Sequence, residues 1–337
     1  MKIGIMTFHN ADNYGAVLQC YALQETLKKK YPNDEVYVID YKCPEIVNGY
    51  IPRINFKRPW SILLYSKRKH KHEKFEQFRK KYFNLGSPDF STYDIIYYGS
   101  DQIWNEHLTN RDLTYFGKNF TGKKIAYAAS DGGEMNYDSE VCELLKSFSK
   151  ISCREKSMTE KIQKCNLKVP IETVCDPVFL LSKEEWLNIA ELPKEENYVL
   201  AYKISDNPNF DSEAEKLGKR LNKKVIQIVY VKSIQKFFYK RQKFAEGIKP
   251  EQFLGYFTKA DFVFASSFHG TAFSIIFDKP FYILQIRKGS ERITNLLSAL
   301  NINDRYGLQV QDNKQQIQNY ELYRQKAFDF LTSIIYS

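Results

Sequence analysis

DFVFASSFHGTAFSIIFDKPFYIL, residues 261–284, runs through an apolar strand, a turn, a helix and a second apolar strand in succession. Phe262–Ala265 has no polar face, Ser266–Phe268 reads as the turn, and Thr271–Phe277 as a helix that stops before Lys279-Pro280. Strands without a polar face, joined through a helix, are the repeating unit of a parallel sheet covered on both sides. His269 then falls where the strand ends and the helix begins, at a crevice rather than in a core. The open N–H groups and positive end of a helix attract phosphate or carboxylate there. A histidine that merely caps the helix fits the same pattern.

The alternation extends outward in both directions. KIGIMTF at the start reads as a strand, Ala16 to Lys30 as a helix and VYVIDY as a strand. Short strand candidates follow at Tyr93–Tyr98, Lys124–Ala129, Lys150–Cys153 and Glu172–Cys175. Phe179 to Asn197 is the best boundary, after which strands at 198–202 and 225–229 alternate with helices at 210–221 and 250–257. The expectation is an α/β protein of two Rossmann-like, doubly wound domains. The first spans 1–185 and the second 195–318, and a last helix at 320–337 crosses back to the first.

At 337 residues and 43% hydrophobic content, the chain can bury two ordinary cores. No apolar run approaches the ~20 residues of a membrane span, and Met1-Lys2 leads straight into a strand, so a cytoplasmic protein without a secretory signal is expected. The six cysteines form no C-x-x-C pair and no zinc-type cluster with histidine, which suggests reduced, mostly buried thiols.

The formal charge is +10, and much of it is local. Residues 52–80 hold Arg53, Lys57, Arg58, Lys67, Arg68, Lys69, Lys71, Lys74, Arg79 and Lys80 against Glu73 and Glu76. This run adjoins an aromatic and aliphatic cluster at Trp60–Tyr65, a combination suited to peripheral contact with an anionic membrane on its inner face. A solvated helix that packs Phe75, Phe78 and Tyr82 inward suits the spacing equally. Nucleic acid is not an expected partner, because no helix-turn-helix, zinc finger or RNP-like motif accompanies the charge.

Ser266–Gly270 has the form S-x-x-H-G. Ahead of it come N-x-G-A-x-L-Q at Asn13–Gln19, G-S-D-Q-x-W-N at Gly99–Asn105, an A-Y-A-A-S strand at Ala126–Ser130, Arg154-Glu155, and Asp176-Pro177. Taken in this order, the set resembles the polysaccharide pyruvyl transferase family, and the likeness runs from Met1 to about Leu300. The resemblance implies that the two domains face each other across a cleft, in a GT-B-like architecture. Asn13–Gly15, Gly99–Asp101, Ser130–Gly132 and Ser266–Thr271 all fall at the carboxyl ends of predicted strands, where open α/β sheets bind ligands.

The resemblance also implies transfer of an enolpyruvyl unit from phosphoenolpyruvate to a sugar of a surface-polysaccharide (capsule or exopolysaccharide) precursor. The implied acceptor is a lipid-linked glycan and the implied product a cyclic pyruvate ketal. Such chemistry needs a proton donor for the methylene carbon, a base for the hydroxyls, and cations for phosphate and carboxylate. On the donor side stand Ser266, His269, Gly270, Thr271, Arg154 and one of Arg287 and Lys288. His269 handles the proton or contacts the phosphate, and Arg154 offers a two-pronged guanidinium. On the acceptor side stand His9 and Asp12 as bases, with Asn13, Gly15, Ser100, Asp101, Gln102, Asn105 and the indole of Trp104. Gln19 adds a further amide.

No Asp-x-Asp pair, H-E-x-x-H or P-loop lysine is present, so neither a metal nor any other cofactor is expected. The absence of G-x-G-x-x-G argues against a dinucleotide. A GT-B nucleotide-sugar glycosyltransferase and a non-catalytic carbohydrate-binding relative are the competing functions.

Overall fold

The computed structural model describes residues 1–52, 60–133, 135–204, 209–229, 242–284, 291–302 and 314–333. The chain forms two compact units: Met1–Tyr50, Arg79–Leu181 and Lys314–Ser337 make the first, Ile51–Phe78 and Ser182–Asn313 the second.

Among the described residues, the first unit contains β1 (Lys2–Met6), β2 (Glu35–Ile39), β3 (Leu85–Gly86), β4 (Ile95–Tyr98), β5 (Lys123–Ala129), β6 (Lys150–Cys153) and β7 (Ile171–Thr173). They pair in parallel in the order β3-β2-β1-β4-β5-β6-β7. The second unit contains β8 (Tyr198–Tyr202), β9 (Lys224–Val229), β10 (Gln242–Glu246), β11 (Phe262–Ala265) and β12 (Phe281–Ile283), also parallel, in the order β10-β9-β8-β11-β12. Both orders reverse direction once, beside β1 in the first sheet and beside β8 in the second. The crevice at such a reversal is where doubly wound sheets take their ligands. The strands β4, β8 and β11 are buried along their whole length, as their unbroken apolar sequences require.

Local chemistry fixes the helices beside them. Asn13 caps the Tyr14–Lys30 helix, its side chain accepting from the Gly15 and Ala16 N–H groups, and Lys28, Lys29 and Lys30 occupy the negative end. Ser182 and Glu185 form a capping box at the Lys183–Leu187 helix, where the second unit resumes. The Lys314–Thr332 helix belongs to the first unit. There Arg324 Nε donates to the Phe179 carbonyl (2.7 Å), and Lys150 Nζ donates to that of Phe330 (3.0 Å).

Arg53, Lys57 and Arg58 of the basic run lie outside the described residues, and the rest of the run falls on one helix, Trp60–Tyr82. Residues 51–78 group with the second unit, whereas the sequence had them in the first. Lys67 pairs with Glu246 at 3.0 Å and Lys74 Nζ donates to the Gly247 carbonyl at 2.8 Å. In the first unit, Arg79 is buried against Asp12. Phe75 and Phe78 point inward, while Arg68, Lys69 and Lys80 are exposed. No helix among the described residues is long and apolar enough to cross a membrane.

The cysteines depart from expectation. Cys142 and Cys165 are joined in a disulfide across 23 residues. Their pairing depends on how the Ser139–Lys146 and Lys156–Gln163 helices return to the sheet, which residue spacing does not encode. Cys20, Cys43, Cys153 and Cys175 are buried free thiols, each made harder to ionise by burial, Cys175 reaching about 12. Closing a loop of this size is worth roughly 3 kcal/mol through the unfolded chain. Reduction with a dithiol, or Cys142→Ser, is expected to lower the denaturation midpoint accordingly. An unchanged midpoint in both would show that the crosslink contributes nothing.

Candidate functional site

In the first unit, the motif loops meet at the carboxyl edge of the sheet where β1 and β4 diverge. The Gly99 to Asp101 turn follows β4, with φ of +125° at Gly99 and +69° at Asp101, a region that Asp enters at a cost and Gly readily. The Asp101 carbonyl accepts from Ser130 N (3.0 Å), and Trp104 N donates to the Ser130 carbonyl (3.1 Å), so this turn is tied to the end of β5. Asn105 Nδ2 donates to Gln102 Oε1 at 3.1 Å, and Gly132 passes so close to both side chains that a Cβ there would collide with them.

Several expected acceptor contacts turn out to be internal. Trp104 offers no face to a sugar: it is fully buried, stacked on Phe116 with centroids 5.1 Å apart, and its Nε1 donates to the Tyr115 carbonyl at 2.8 Å. The Leu113–Phe116 turn supplies that pocket, and an indole gains more by filling it than by lying in water. Asn105 caps the Glu106–Thr109 helix, and Gly15 lies buried in a first helical turn. Ser100 is fully buried, with Oγ donating to the Ala128 carbonyl at 2.8 Å. Asp12 is 2% exposed and held by Arg79 at 2.9 Å, which removes it as an open base. His9 is 1% exposed; its Nε2 lies 3.1 Å from Asp40 Oδ1 and its Nδ1 3.4 Å from the Thr7 carbonyl. The His9 hydrogen bond holds the Asp40 carboxyl below its ordinary range. Asn13, Asp101 and Gln102 remain partly accessible. Tyr50 joins them, bonded to Asn13 and close enough to Asp101 and Asp12 to sense their charge. Burial raises its phenol pKa.

Arg154, just past the end of β6, is buried among carboxylates. Its Nη1 donates to Asp176 Oδ2 at 2.7 Å, its Nε to Glu155 Oε1 at 3.4 Å, and its Nη2 lies 3.8 Å from Asp101 Oδ1. Burial opposes its charge, but Glu155, Asp176 and Asp101 outweigh that and hold its pKa above the usual arginine value. Three carboxylates therefore gather around this one guanidinium in the first unit. Glu155 and Asp176 were not foreseen as site residues, nor was Asp131. Asp131 takes hydrogen bonds from Gly133 N, Tyr137 Oη and Lys161 Nζ. The available signal was positional: Asp131, Glu155 and Asp176 each follow within three residues of the end of β5, β6 or β7.

In the second unit, β11 ends beside β8 at the reversal of the sheet. Ser267 caps the Phe268–Ile276 helix, its Oγ accepting from Gly270 N at 3.0 Å, and Thr271 Oγ1 donates to the Ser267 carbonyl at 3.1 Å. The helix therefore starts before Thr271, and His269 lies inside its first turn. The residue is 5% exposed and its ring stands edge-on to Phe268, so it is more enclosed than a strand-end position alone suggested. The Ser266 hydroxyl, just ahead of the cap, is buried and makes no hydrogen bond among the described residues. Arg287 and Lys288 lie outside the described residues.

No curated protein matches the chain. Among solved structures, a Listeria monocytogenes protein described as a UDP-N-acetylglucosamine 2-epimerase is similar at a TM-score of 0.54 and 11% identity, covering 99% of this chain and 95% of its own. Another UDP-N-acetylglucosamine 2-epimerase is similar at a TM-score of 0.50 and 12% identity, covering 100% and 96%. At such identities the likeness concerns the fold alone, two Rossmann-like domains in one chain. The family model for polysaccharide pyruvyl transferase matches residues 13–286, a span that takes in the Asn13 cap, the Gly99 turn, Arg154 and the His269 helix start. The chain belongs to the polysaccharide pyruvyl transferase family.

Proposed function

We propose that this transferase moves the three-carbon unit of phosphoenolpyruvate onto two hydroxyls of a sugar in a surface-polysaccharide precursor. The observation that carries the proposal is the family match over 13–286, whose ordered motifs fall at carboxyl ends of parallel strands. The methylene carbon takes a proton, one hydroxyl oxygen bonds to the adjacent carbon, and the bond from that carbon to the phosphate oxygen breaks. The second hydroxyl then closes the ketal. Of the two hydroxyl protons, one replaces that consumed at the methylene and the other leaves with phosphate.

The donor falls to the second unit, where Ser266, His269 and the positive end of the Phe268–Ile276 helix suit an anionic ester. His269 is the proton donor or the phosphate contact. The acceptor falls to Asn13, Asp101 and Gln102 of the first unit, the sequence-derived candidates that keep accessible surface. Arg154 organises the carboxylates beside Asp101 instead of gripping the donor.

Incubation with phosphoenolpyruvate and galactose-type acceptors is expected to release phosphate only when an acceptor is present, with a ketal detected by mass. Release without acceptor, or none with any acceptor tried, would sink the proposal. His269→Ala is expected to cut turnover by about 10²–10⁴-fold, the usual size of a lost acid-base group. A folded variant turning over at the normal rate would remove His269 from the mechanism.

A further inference from the structure

The glutamine closing the N-x-G-A-x-L-Q motif reads, in sequence, as one more amide for a sugar. The structure gives Gln19 no exposed surface and turns both of its N–H donors and its amide oxygen inward. Its Nε2 donates to Thr7 Oγ1 at 2.9 Å and to the Ala16 carbonyl at 3.0 Å, and its Oε1 accepts from Ser100 N at 3.2 Å. The orientation of this amide follows from chemistry: a backbone N–H can only donate and a backbone carbonyl can only accept. The Thr7 hydroxyl, having accepted from Gln19, donates to the Ser100 carbonyl at 2.9 Å. Gln19 thus holds both polar ends of Ser100, the N–H directly and the carbonyl through Thr7.

What is held is the turn that carries Asp101. Gly99 and Asp101 on either side of Ser100 have positive φ, which for Asp101 persists only when its surroundings fix it. Ser100 Oγ adds a third anchor at the Ala128 carbonyl, and Ala128 N donates to Ser152 Oγ at 3.1 Å. Downstream, Asp101 Oδ1 accepts from Gln102 N at 2.9 Å and lies 3.8 Å from Arg154 Nη2.

We propose that Gln19, acting with Thr7, is a positioning residue that clamps Ser100 and thereby presents Asp101 on the acceptor side. This rests on the acceptor role given to Asp101 above. It assigns Gln19 no contact with substrate.

The test compares Gln19→Met, Thr7→Val and Thr7→Ser in the full chain. Ser100 N exchanges its hydrogen only when its bond to Gln19 opens. Amide exchange across 99–102 should therefore quicken about tenfold in Gln19→Met and Thr7→Val, as loss of one buried hydrogen bond implies, with β4 amides unchanged. Thr7→Ser keeps the hydroxyl and should restore the original rate. Turnover should fall roughly tenfold or more in the first two variants and recover in the third, with KM for phosphoenolpyruvate constant. Normal exchange at Ser100 in Gln19→Met, equal behaviour of Thr7→Ser and Thr7→Val, or uniformly faster exchange throughout the first sheet would each overturn the clamp. Should Gln19→Met fail to fold, the two Thr7 variants decide alone. If the native chain turns over no acceptor, the proposed function falls, while the exchange measurements still decide the clamp.

Discussion

Arg154→Met is expected to cost the first unit about 3–5 kcal/mol, the usual loss when one partner of a buried ion pair is removed. The size follows from what remains. Asp176 is 0% exposed and Glu155 4%, and both give hydrogen-bond acceptors to this one guanidinium. Without it they must stay charged in a medium that solvates them poorly, take up protons, or pull water inside. The cost therefore belongs to the stranded carboxylates more than to the lost contact. Adding Glu155→Gln and Asp176→Asn to the same variant should recover most of the stability, since neutral amides are far cheaper to bury. Denaturant titrations of the single and triple variants check this. A single variant costing under about 1 kcal/mol, the range of ordinary surface changes, would show that these carboxylates are solvated or protonated already.

The same cluster shows which parts of the molecule were legible in the sequence. Unbroken apolar runs such as Tyr198–Tyr202 and Phe262–Ala265 announce strands buried on both faces, and their alternation with helices announces the doubly wound sheet. The motif segments could be set at strand ends for the same reason, and Gly99, Ser130, Arg154 and Ser266 do lie there. Depth was not legible. Whether an indole faces water or core depends on partners, and those of Trp104 come from the Leu113–Phe116 turn. The company of Arg154 comes from the ends of three strands, with Asp101 and Asp176 distant in sequence. Only topology brings these groups together, so the arginine read as a free anion hook. The helix start was misjudged for a local reason: the sequence reads as a turn over Ser266–Phe268 with Thr271 as the first helical residue, whereas Ser267 is the cap and sets His269 in the first turn. β10 was missed because Gln242–Glu246 carries neither an apolar run nor a buried alternation strong enough to stand out.

Gly99→Ala is the second change expected to have a large effect, because two independent penalties fall on one methyl group. At φ +125° an alanine is strained, costing about 1–3 kcal/mol. The new Cβ would also lie closer than 3.0 Å to the Tyr127 carbonyl oxygen, with the carbonyl carbon at 3.2 Å, and a backbone in mid-sheet cannot swing aside as a flexible side chain does. Forcing β4 and β5 apart there adds about 1–3 kcal/mol of overpacking. Two other glycines separate the terms. Gly133 has φ +87° but open space around its missing Cβ, so Gly133→Ala carries the conformational cost alone. Gly49, in the Pro44–Tyr50 helix, meets nothing and has no positive φ, so Gly49→Ala should be neutral or slightly stabilising. The expected order of stability is therefore Gly49→Ala, then Gly133→Ala, then Gly99→Ala, with the last near 3–5 kcal/mol below the native chain. Because the Ser100–Asp101 turn begins at this glycine, Gly99→Ala should also lose turnover in whatever fraction stays folded, whereas Gly49→Ala should keep it. Equal melting of the Gly99 and Gly133 variants would mean that the β4–β5 edge yields freely, and that the turn bearing Asp101 is not held by the sheet beneath it.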